Sequence, residues 1–161
     1  MSDRVDNLLG QWTAERPELD CSGLDVIARV QDVAKMLRRG EGEALESLDL
    51  KMWEYDVLSV LRRQGDRCSL TASALARESL LSSGAMTNRI DRLADRGLVS
   101  REPDPDDRRG VQVALTPAGR RLADKALEAR LTVADLHIAG LTAEERADIS
   151  SGLRKLMAAM T

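Results

Sequence analysis

The chain has 161 residues, a formal net charge of −3 and a hydrophobic fraction of 43%, enough for the core of one ordinary domain. Aromatic residues make up only 2%, so the core is aliphatic, which favours helices over sheet. The sequence lacks an apolar run of membrane-spanning length, a signal peptide and metal-ligand spacing between its two cysteines. We therefore expect a cytoplasmic protein without a metal, a cofactor or a membrane partner.

Helical periodicity dominates the N-terminal third of the sequence. A short amphipathic helix is predicted after a cap at Ser2, and a longer helix opens at Ser22, in a segment that resembles a capping box. Gly40 and Gly42 are expected to close this second helix, because glycine is unfavourable inside helices. The segment 41–50 fits no single pattern.

A helix-turn-helix is predicted in the middle of the chain. A helix from Trp53 to near Gly65 precedes a short helix from Thr71 to Glu78, and a tight turn leads to a helix capped by Ser82. This last helix is expected to stop at Gly97, because glycine enters the left-handed region without penalty. Its buried stripe is predicted at Met86, Ile90 and Leu93.

A β-hairpin follows this helix. Strands are predicted at 98–101 and 111–115, and they flank a charged turn in which two prolines and a glycine indicate a reversal of the chain. Between Thr87 and Arg121 the sequence has eight arginines against six acidic residues. This positive excess in an otherwise acidic chain is compatible with nucleic-acid binding by the middle of the chain.

Two helices are predicted at the C-terminal end. Thr116 and Pro117 are typical of a helix start, and Thr142 with Glu145 forms a capping box for the last helix. Both helices carry apolar seams spaced alternately by four and three residues. Packing within the chain would cover such seams, but we favour a two-fold homodimer. The seams comprise Leu122, Ala126, Ala129, Val133 and Leu136, then Ile149, Leu153, Leu156 and Met160.

The Ser82 helix has a polar face opposite its buried stripe. That face begins with small and amide side chains, at Ser83, Gly84, Thr87 and Asn88, which suit a helix that reads base edges. A solvated helix face is the alternative interpretation at this stage.

Nothing in the sequence indicates catalysis. The single histidine, His137, lies late in a helix, where it is favoured by the helix dipole. No phosphate-binding loop or metal-binding motif accompanies it, so we do not expect an enzyme.

The sequence from Ser82 to Arg121 resembles the MarR family of bacterial transcriptional regulators. The segments TNRIDRLADRGLV and DPDDRRGVQVALTPAGR carry the resemblance, and WEYDVLSVLRRQG and LTAEE fit the same pattern. The resemblance implies a winged helix-turn-helix, mainly α with a small β-hairpin wing, dimerised through its N- and C-terminal helices. It also implies one domain, 1–161, in which about 53–116 binds DNA while 1–50 and 117–161 form the dimer.

The family resemblance implies a function as well. Such proteins typically repress genes as homodimers on a palindromic operator in double-stranded DNA, and they dissociate from the operator when a small molecule binds. The Ser82 helix would enter the major groove, and Arg108 or Arg109, braced by Asp106 or Asp107, would reach the minor groove. The expected DNA-binding residues are Ser82, Ser83, Gly84, Thr87, Asn88, Arg92, Arg108 and Arg109.

A narrower resemblance concerns the urate-responsive branch of the family, the HucR and PecS type. The residues that match its pattern are Trp12, Asp56, Arg89 and Arg101. They would hold a flat anionic effector, with Asp56 accepting from a ring N–H and the arginines binding the negative charge. Urate, another purine or nucleotide, or a different small acid would fit. The alternative is that Trp12 belongs to the core and that Asp56 forms a structural ion pair.

Two rival functions stay open. Peroxide-sensing members of the family use an N-terminal cysteine, and Cys21 is N-terminal, although the acidic residues just before it would raise its pKa rather than lower it. The second rival is a helical protein-interaction module that does not bind DNA.

Overall fold

The computed structural model describes residues 2–104 and 110–160. The chain divides into two compact units, Met1–Glu41 and Gly42–Thr161. The elements of the described residues are α1 (Arg4–Glu15), α2 (Ser22–Glu46), α3 (Met52–Arg62), a 3₁₀ turn (Gly65–Arg67), β1 (Ser69–Thr71), α4 (Ala72–Glu78), α5 (Ser83–Asp95), β2 (Val99–Pro103), β3 (Val111–Leu115), α6 (Pro117–Ile138) and α7 (Ala143–Ala159).

The first unit contains α1 and most of α2. Asp3, not the expected Ser2, caps α1, because its carboxylate accepts from the backbone N–H groups of Val5 and Asp6 at 2.7 and 3.0 Å. The Asp6 N–H, with Arg29 nearby, lowers the pKa of Asp3 below its ordinary value. Arg29 of α2 donates to Asp3 at 2.8 Å and to Asp6 at 2.6 Å. One guanidinium thus links the start of α1 to α2.

The prediction that Gly40 and Gly42 end the second helix is wrong, since α2 continues to Glu46. Leu45 is fully buried there, and burial of a leucine side chain, about 1.5–3 kcal/mol, offsets the roughly 2 kcal/mol that two helical glycines cost. The helix ends at Glu46, and the turn after it brings Asp49 to a φ of 50°, the left-handed conformation that is usual just beyond a helix end.

The core of the second unit is aliphatic, as the composition predicts. The stripe predicted on the helix after Ser82 is confirmed, because Met86, Ile90 and Leu93 of α5 are all buried. They belong to one cluster with buried residues of α3, α4, α6 and the sheet. Its largest fully buried side chains include Leu58, Leu61, Leu75, Met86, Leu93 and Val113.

The wing is a three-stranded antiparallel sheet with the order β1-β3-β2. The predicted hairpin corresponds to β2 and β3, in which Arg101 lies opposite Val113. Sequence analysis missed β1, whose Ser69 lies opposite Ala114. A strand of three residues is too short to show alternation, and it is defined by its pairing with β3 rather than by its own sequence.

The start of α6 is fixed to the end of α5. Thr116 caps α6, and its backbone N–H donates to the carbonyl of Leu98 at 3.1 Å. The helix approaches that carbonyl so closely that a Cβ on Gly119 would lie 1.9 Å from the Leu98 oxygen. Arg62 of α3 and Asp124 of α6 add an ion pair of 2.6 Å. The start of α6 is therefore packed directly against the α5–β2 junction.

The C-terminal helices leave apolar surface exposed. Leu136 of α6 is 70% exposed and Met157 of α7 is 68% exposed. The predicted seam of α7 lies on this surface, with Ile149 and Leu153 both more than 40% exposed. Within residues 2–104 and 110–160, no helix combines the length and hydropathy needed to cross a membrane.

The close approach at Gly119 generates a stability prediction. Gly119→Ala should lower the free energy of unfolding by about 3 kcal/mol, because the added methyl group meets backbone atoms that cannot move aside. Urea denaturation followed by circular dichroism measures this change.

Gly42→Ala is the matched control. A Cβ at Gly42 meets nothing within 4 Å, so this variant should gain roughly 0.5–1 kcal/mol from the better helix propensity of alanine. Equal stability of the two variants would contradict the close approach of α6 to Leu98.

Candidate nucleic-acid interface and effector cleft

Helix α5 presents the predicted polar face to solvent. Ser82 caps the helix with its hydroxyl oxygen, which accepts from the backbone N–H of Ala85 at 3.3 Å. The hydroxyl of Thr87 donates to the carbonyl of Ser83 at 2.9 Å. The exposed side of the helix carries Ser83, Gly84, Thr87, Asn88 and Arg92.

This face borders a groove of about 370 Å³ between α5, the start of α4 and the wing, here called the α5–wing groove. Half of its lining residues carry hydroxyl groups, which can donate to or accept from phosphate and base edges. The predicted wing residues Asp106, Asp107, Arg108 and Arg109 lie outside the described residues. The groove is lined by Thr71, Ser73, Ser83, Thr87, Asp104 and Gly110.

An ion-pair network anchors the C-terminal end of α5. Arg96 donates to the Glu54 carboxylate at 2.8 Å and to the carbonyl and carboxylate of Asp49 at 2.7 and 3.0 Å. Glu54 is only 3% exposed, and it also accepts from the backbone N–H of Lys51 at 2.8 Å. Sequence analysis missed this network. The spacing of Lys51 and Glu54 fits a helix start, but nothing local to Arg96 identifies its partners.

Two predicted effector residues, Asp56 and Arg89, line one cleft of about 240 Å³ between α3, the α4–α5 turn and α5, here called the α3–α5 cleft. The Arg89 guanidinium lies over the ring of Trp53, 5.6 Å from its centroid. This contact explains why Arg89 is half-buried. The other residues of the cleft include Ser59, Val60, Arg63, Glu78, Ser79 and Leu80.

The other two predicted effector residues have different surroundings. Arg101 of β2 is bonded to the carboxylate of Asp91 on α5, and it does not line the α3–α5 cleft. Trp12 belongs to α1 of the first unit and is 44% exposed, so it is not fully inward-facing. Their roles in ligand binding stay predictions.

The cysteines do not form a disulfide with each other. Cys68 is buried, and its thiol donates to the carbonyl of Gly65 at 3.0 Å. Cys21 is half-buried and follows Asp20. No group of three or more metal-ligating side chains is assembled within the part of the chain that the structure describes.

Comparison with known proteins places this geometry in context. A family model described as MarR family matches residues 48–110. The HTH-type transcriptional regulator PecS of Dickeya dadantii strain 3937 is 31% identical over 124 residues, 77% of this chain and 75% of PecS. A mutant MarR from E. coli complexed with operator DNA has a TM-score of 0.71 and 26% identity, covering 96% of this chain and 99% of that one.

A further solved structure concerns regulation by a ligand. BpsR of Bordetella bronchiseptica, whose structure is described as showing regulation of DNA binding by 6-hydroxynicotinic acid, has a TM-score of 0.69 and 26% identity. The similarity covers 82% of this chain and 92% of BpsR.

The ion-pair network around Arg96 predicts that two arginines of α5 differ in their contribution to stability. Arg96→Ala should cost roughly 2–3 kcal/mol of stability, because it leaves the buried Glu54 carboxylate without its cationic partner. Thermal unfolding at neutral pH measures this loss.

Arg92→Ala, one turn earlier on α5, provides the comparison. Arg92 is exposed, so its removal should change stability by less than about 0.5 kcal/mol while weakening binding to DNA. A thermally unaltered Arg96→Ala protein would show that the network is dispensable.

Proposed function

This chain belongs to the MarR family of transcriptional regulators, and from that premise we propose that it is a repressor that binds a palindromic operator as a homodimer. We further propose that a small planar or acidic effector releases it. The match to the family model and the similarity to PecS confirm the predicted family, and they indicate a regulator of transcription rather than an enzyme. The similarity to solved MarR structures confirms the winged-helix fold. We propose that operator binding takes place in the cytoplasm.

The observation that carries the proposal is the exposed face of α5. Its first turns present small residues and one amide, Asn88, while its opposite stripe is buried in the core. An asparagine side chain can form two hydrogen bonds with the major-groove edge of adenine, one with N6 and one with N7. The small side chains around Asn88 let the helix approach the bases closely. The structural similarity to MarR complexed with operator DNA supports this use of the face.

The proposed homodimer rests on the apolar surface of α6 and α7. Large side chains at Leu131, Leu136, Ile149, Leu153 and Met157 are all more than 40% exposed, and exposed patches of this kind mark association sites. A two-fold dimer repeats the same surface on both copies. It would also present two α5 helices to successive major grooves, about 34 Å apart, which explains a palindromic operator.

The proposed effector acts at the α3–α5 cleft. Arg89 belongs to α5 and Asp56 to α3, so a ligand that contacts both would favour one position of α5 relative to α3. DNA is released if the operator-bound position is the other one. Regulation of BpsR by 6-hydroxynicotinic acid is a parallel among similar structures. Urate, another purine or a small acid fits the charge of Arg89. Trp12 and Arg101 are the other two residues that the resemblance in sequence assigns to the effector.

Two alternatives are separated by simple measurements. A peroxide sensor would release DNA on oxidation and lose this response in Cys21→Ser, whereas an effector-responsive regulator would not. A helical interaction module would fail to shift any DNA, including the DNA upstream of its own gene.

The reading face generates a prediction about sequence discrimination. Asn88→Ala should lose about 1–3 kcal/mol of discrimination at a single base position of the operator, because it removes a base-edge contact. Arg109→Ala should weaken binding to all sequences alike and lower the salt slope by about one, because it removes a backbone or groove contact.

Fluorescence anisotropy with single-base operator variants at several salt concentrations measures both effects, and light scattering of the free protein gives the oligomeric state. Wild-type behaviour of both variants would place the reading surface elsewhere. A monomer at micromolar concentration would refute the dimer.

The cleft generates a prediction about release. Asp56→Ala should bind the operator as the wild type does and should no longer be released by urate, since Asp56 lies on α3 and away from the polar face of α5. Mobility shifts with increasing urate test this. Release of Asp56→Ala and Arg89→Ala at the wild-type urate concentration would exclude the cleft as the effector site.

A further inference from the structure

The α3–α5 cleft contains ligand-binding features that the family resemblance does not assign. Three residues outside the predicted set line it, namely Arg63 of α3 and the neighbours Ser79 and Leu80 of the α4–α5 turn. Each of the three has a feature that packing within the chain does not explain, and the feature differs from one residue to the next.

Arg63 supplies a second positive charge to the cleft that Arg89 lines. Its Nε donates to the backbone carbonyl of Ser59 at 3.2 Å, one turn back on α3, which holds the side chain along the cleft-lining face of the helix. Within the described part of the chain, Arg63 has no ion pair. The predicted second arginine, Arg101, is instead bonded to Asp91.

Ser79 contributes a hydroxyl oxygen that is buried and has no hydrogen-bond partner among the described residues. A buried hydroxyl without a partner is unfavourable and rare in native structures. Rotation about the single χ1 bond of serine moves the hydroxyl between staggered positions. A ligand with an acceptor atom in the cleft would give this group its missing partner.

Leu80 has a φ of 53° and is 93% exposed. The backbone N–H of Leu80 donates to the Arg77 carbonyl, and that of Leu81 donates to the Ala76 carbonyl, at 3.1 and 2.9 Å. This is the left-handed end of a helix, where glycine is usual. A leucine there is strained and buries almost none of its apolar surface within the chain, so its side chain is available to contact a ligand in the cleft that it lines.

These observations define the ligand by its chemistry. Arg63 and Arg89 can bind an anionic group, the carboxylates of Asp56 and Glu78 can accept from N–H donors, Ser79 can donate to an acceptor, and Leu80 offers an apolar contact. The cleft of about 240 Å³ has room for roughly eight water volumes of about 30 Å³ each, hence for one small ring system.

We infer that Arg63, Ser79 and Leu80 complete the effector site, with Arg63 in place of Arg101 as the second arginine, for an anionic planar nitrogen heterocycle. The inference rests on the proposed effector-responsive function. It assigns the ligand to the turn of the helix-turn-helix, so ligand binding bears directly on the angle between α4 and α5.

The test uses calorimetric titration of the full chain with two anionic heterocycles, urate and 6-hydroxynicotinate. Arg63→Ala should weaken binding of the tighter probe roughly tenfold, because a charge-assisted contact is lost. Arg67→Ala removes the same charge from the nearby 3₁₀ turn and should bind as the wild type does. Arg101→Ala should stay within about twofold of wild type.

Ser79 is tested by a pair of serine variants. Ser79→Ala should weaken binding of the probe roughly fivefold. Its Tm should be unchanged or raised, because the substitution removes an unsatisfied hydroxyl. Ser59 lines the same cleft but donates to the Asp56 carbonyl at 3.0 Å, so Ser59→Ala should lower Tm. A purely structural Ser79 would behave like Ser59.

The outcomes separate this inference from the proposed function. Suppose that urate or 6-hydroxynicotinate releases the operator but the Arg63→Ala and Ser79→Ala variants bind that heterocycle normally. The inferred residues are then wrong, and the proposed effector-responsive function still holds. If Arg101→Ala loses as much affinity as Arg63→Ala, the exchange of arginines is overturned. If neither probe binds the wild type, the cleft is not the anion site, whatever the mobility shift with DNA shows.

Discussion

The buried carboxylate of Glu54 constrains the whole DNA-binding region. A carboxylate that is 3% exposed is destabilising unless its charge is paired and its oxygens accept hydrogen bonds. The Lys51 N–H at the start of α3 and the Arg96 guanidinium at the end of α5 meet that demand, and Arg96 also binds Asp49 at the end of α2. Three element ends are thereby held at one point, and the C-terminal end of α5 has little freedom.

A helix that is held at one end can change its orientation when a ligand binds along the rest of its length. Beyond Arg96, the chain passes directly into Leu98, whose carbonyl accepts from Thr116 at the start of α6, and Gly119 permits this close packing. Most of the polar face and Arg89 lie in the half of α5 that is farther from Arg96. The proposed ligand would act on that half, while α6 and the Glu54 network hold the other half fixed.

The sequence predicted what local chemistry determines and missed what distant partners determine. The caps at Ser82, Thr116 and Thr142 and the stripe of α5 follow from hydroxyl groups and 3.6-residue periodicity, so they could be read directly. Strand β1 and the length of α2 depend on β3 and on the burial of Leu45. The roles of Arg63 and Arg96 were equally invisible, since a sequence shows an arginine but not whether a carboxylate, a ring or a cleft faces it.

The fate of individual arginines also revises the electrostatic argument. Six of the eight arginines between Thr87 and Arg121 lie among the residues that the structure describes. Three of these six have partners within the chain, since Arg89 lies over Trp53, Arg96 binds Glu54 and Arg101 binds Asp91. Fewer positive charges are then available for phosphates than the composition suggests, and each phosphate contact changes the salt slope by only about 0.9. Because the binding free energies of two half-sites add, their affinities multiply. The proposed dimer is therefore how a chain with net charge −3 would achieve tight operator binding while binding other DNA weakly.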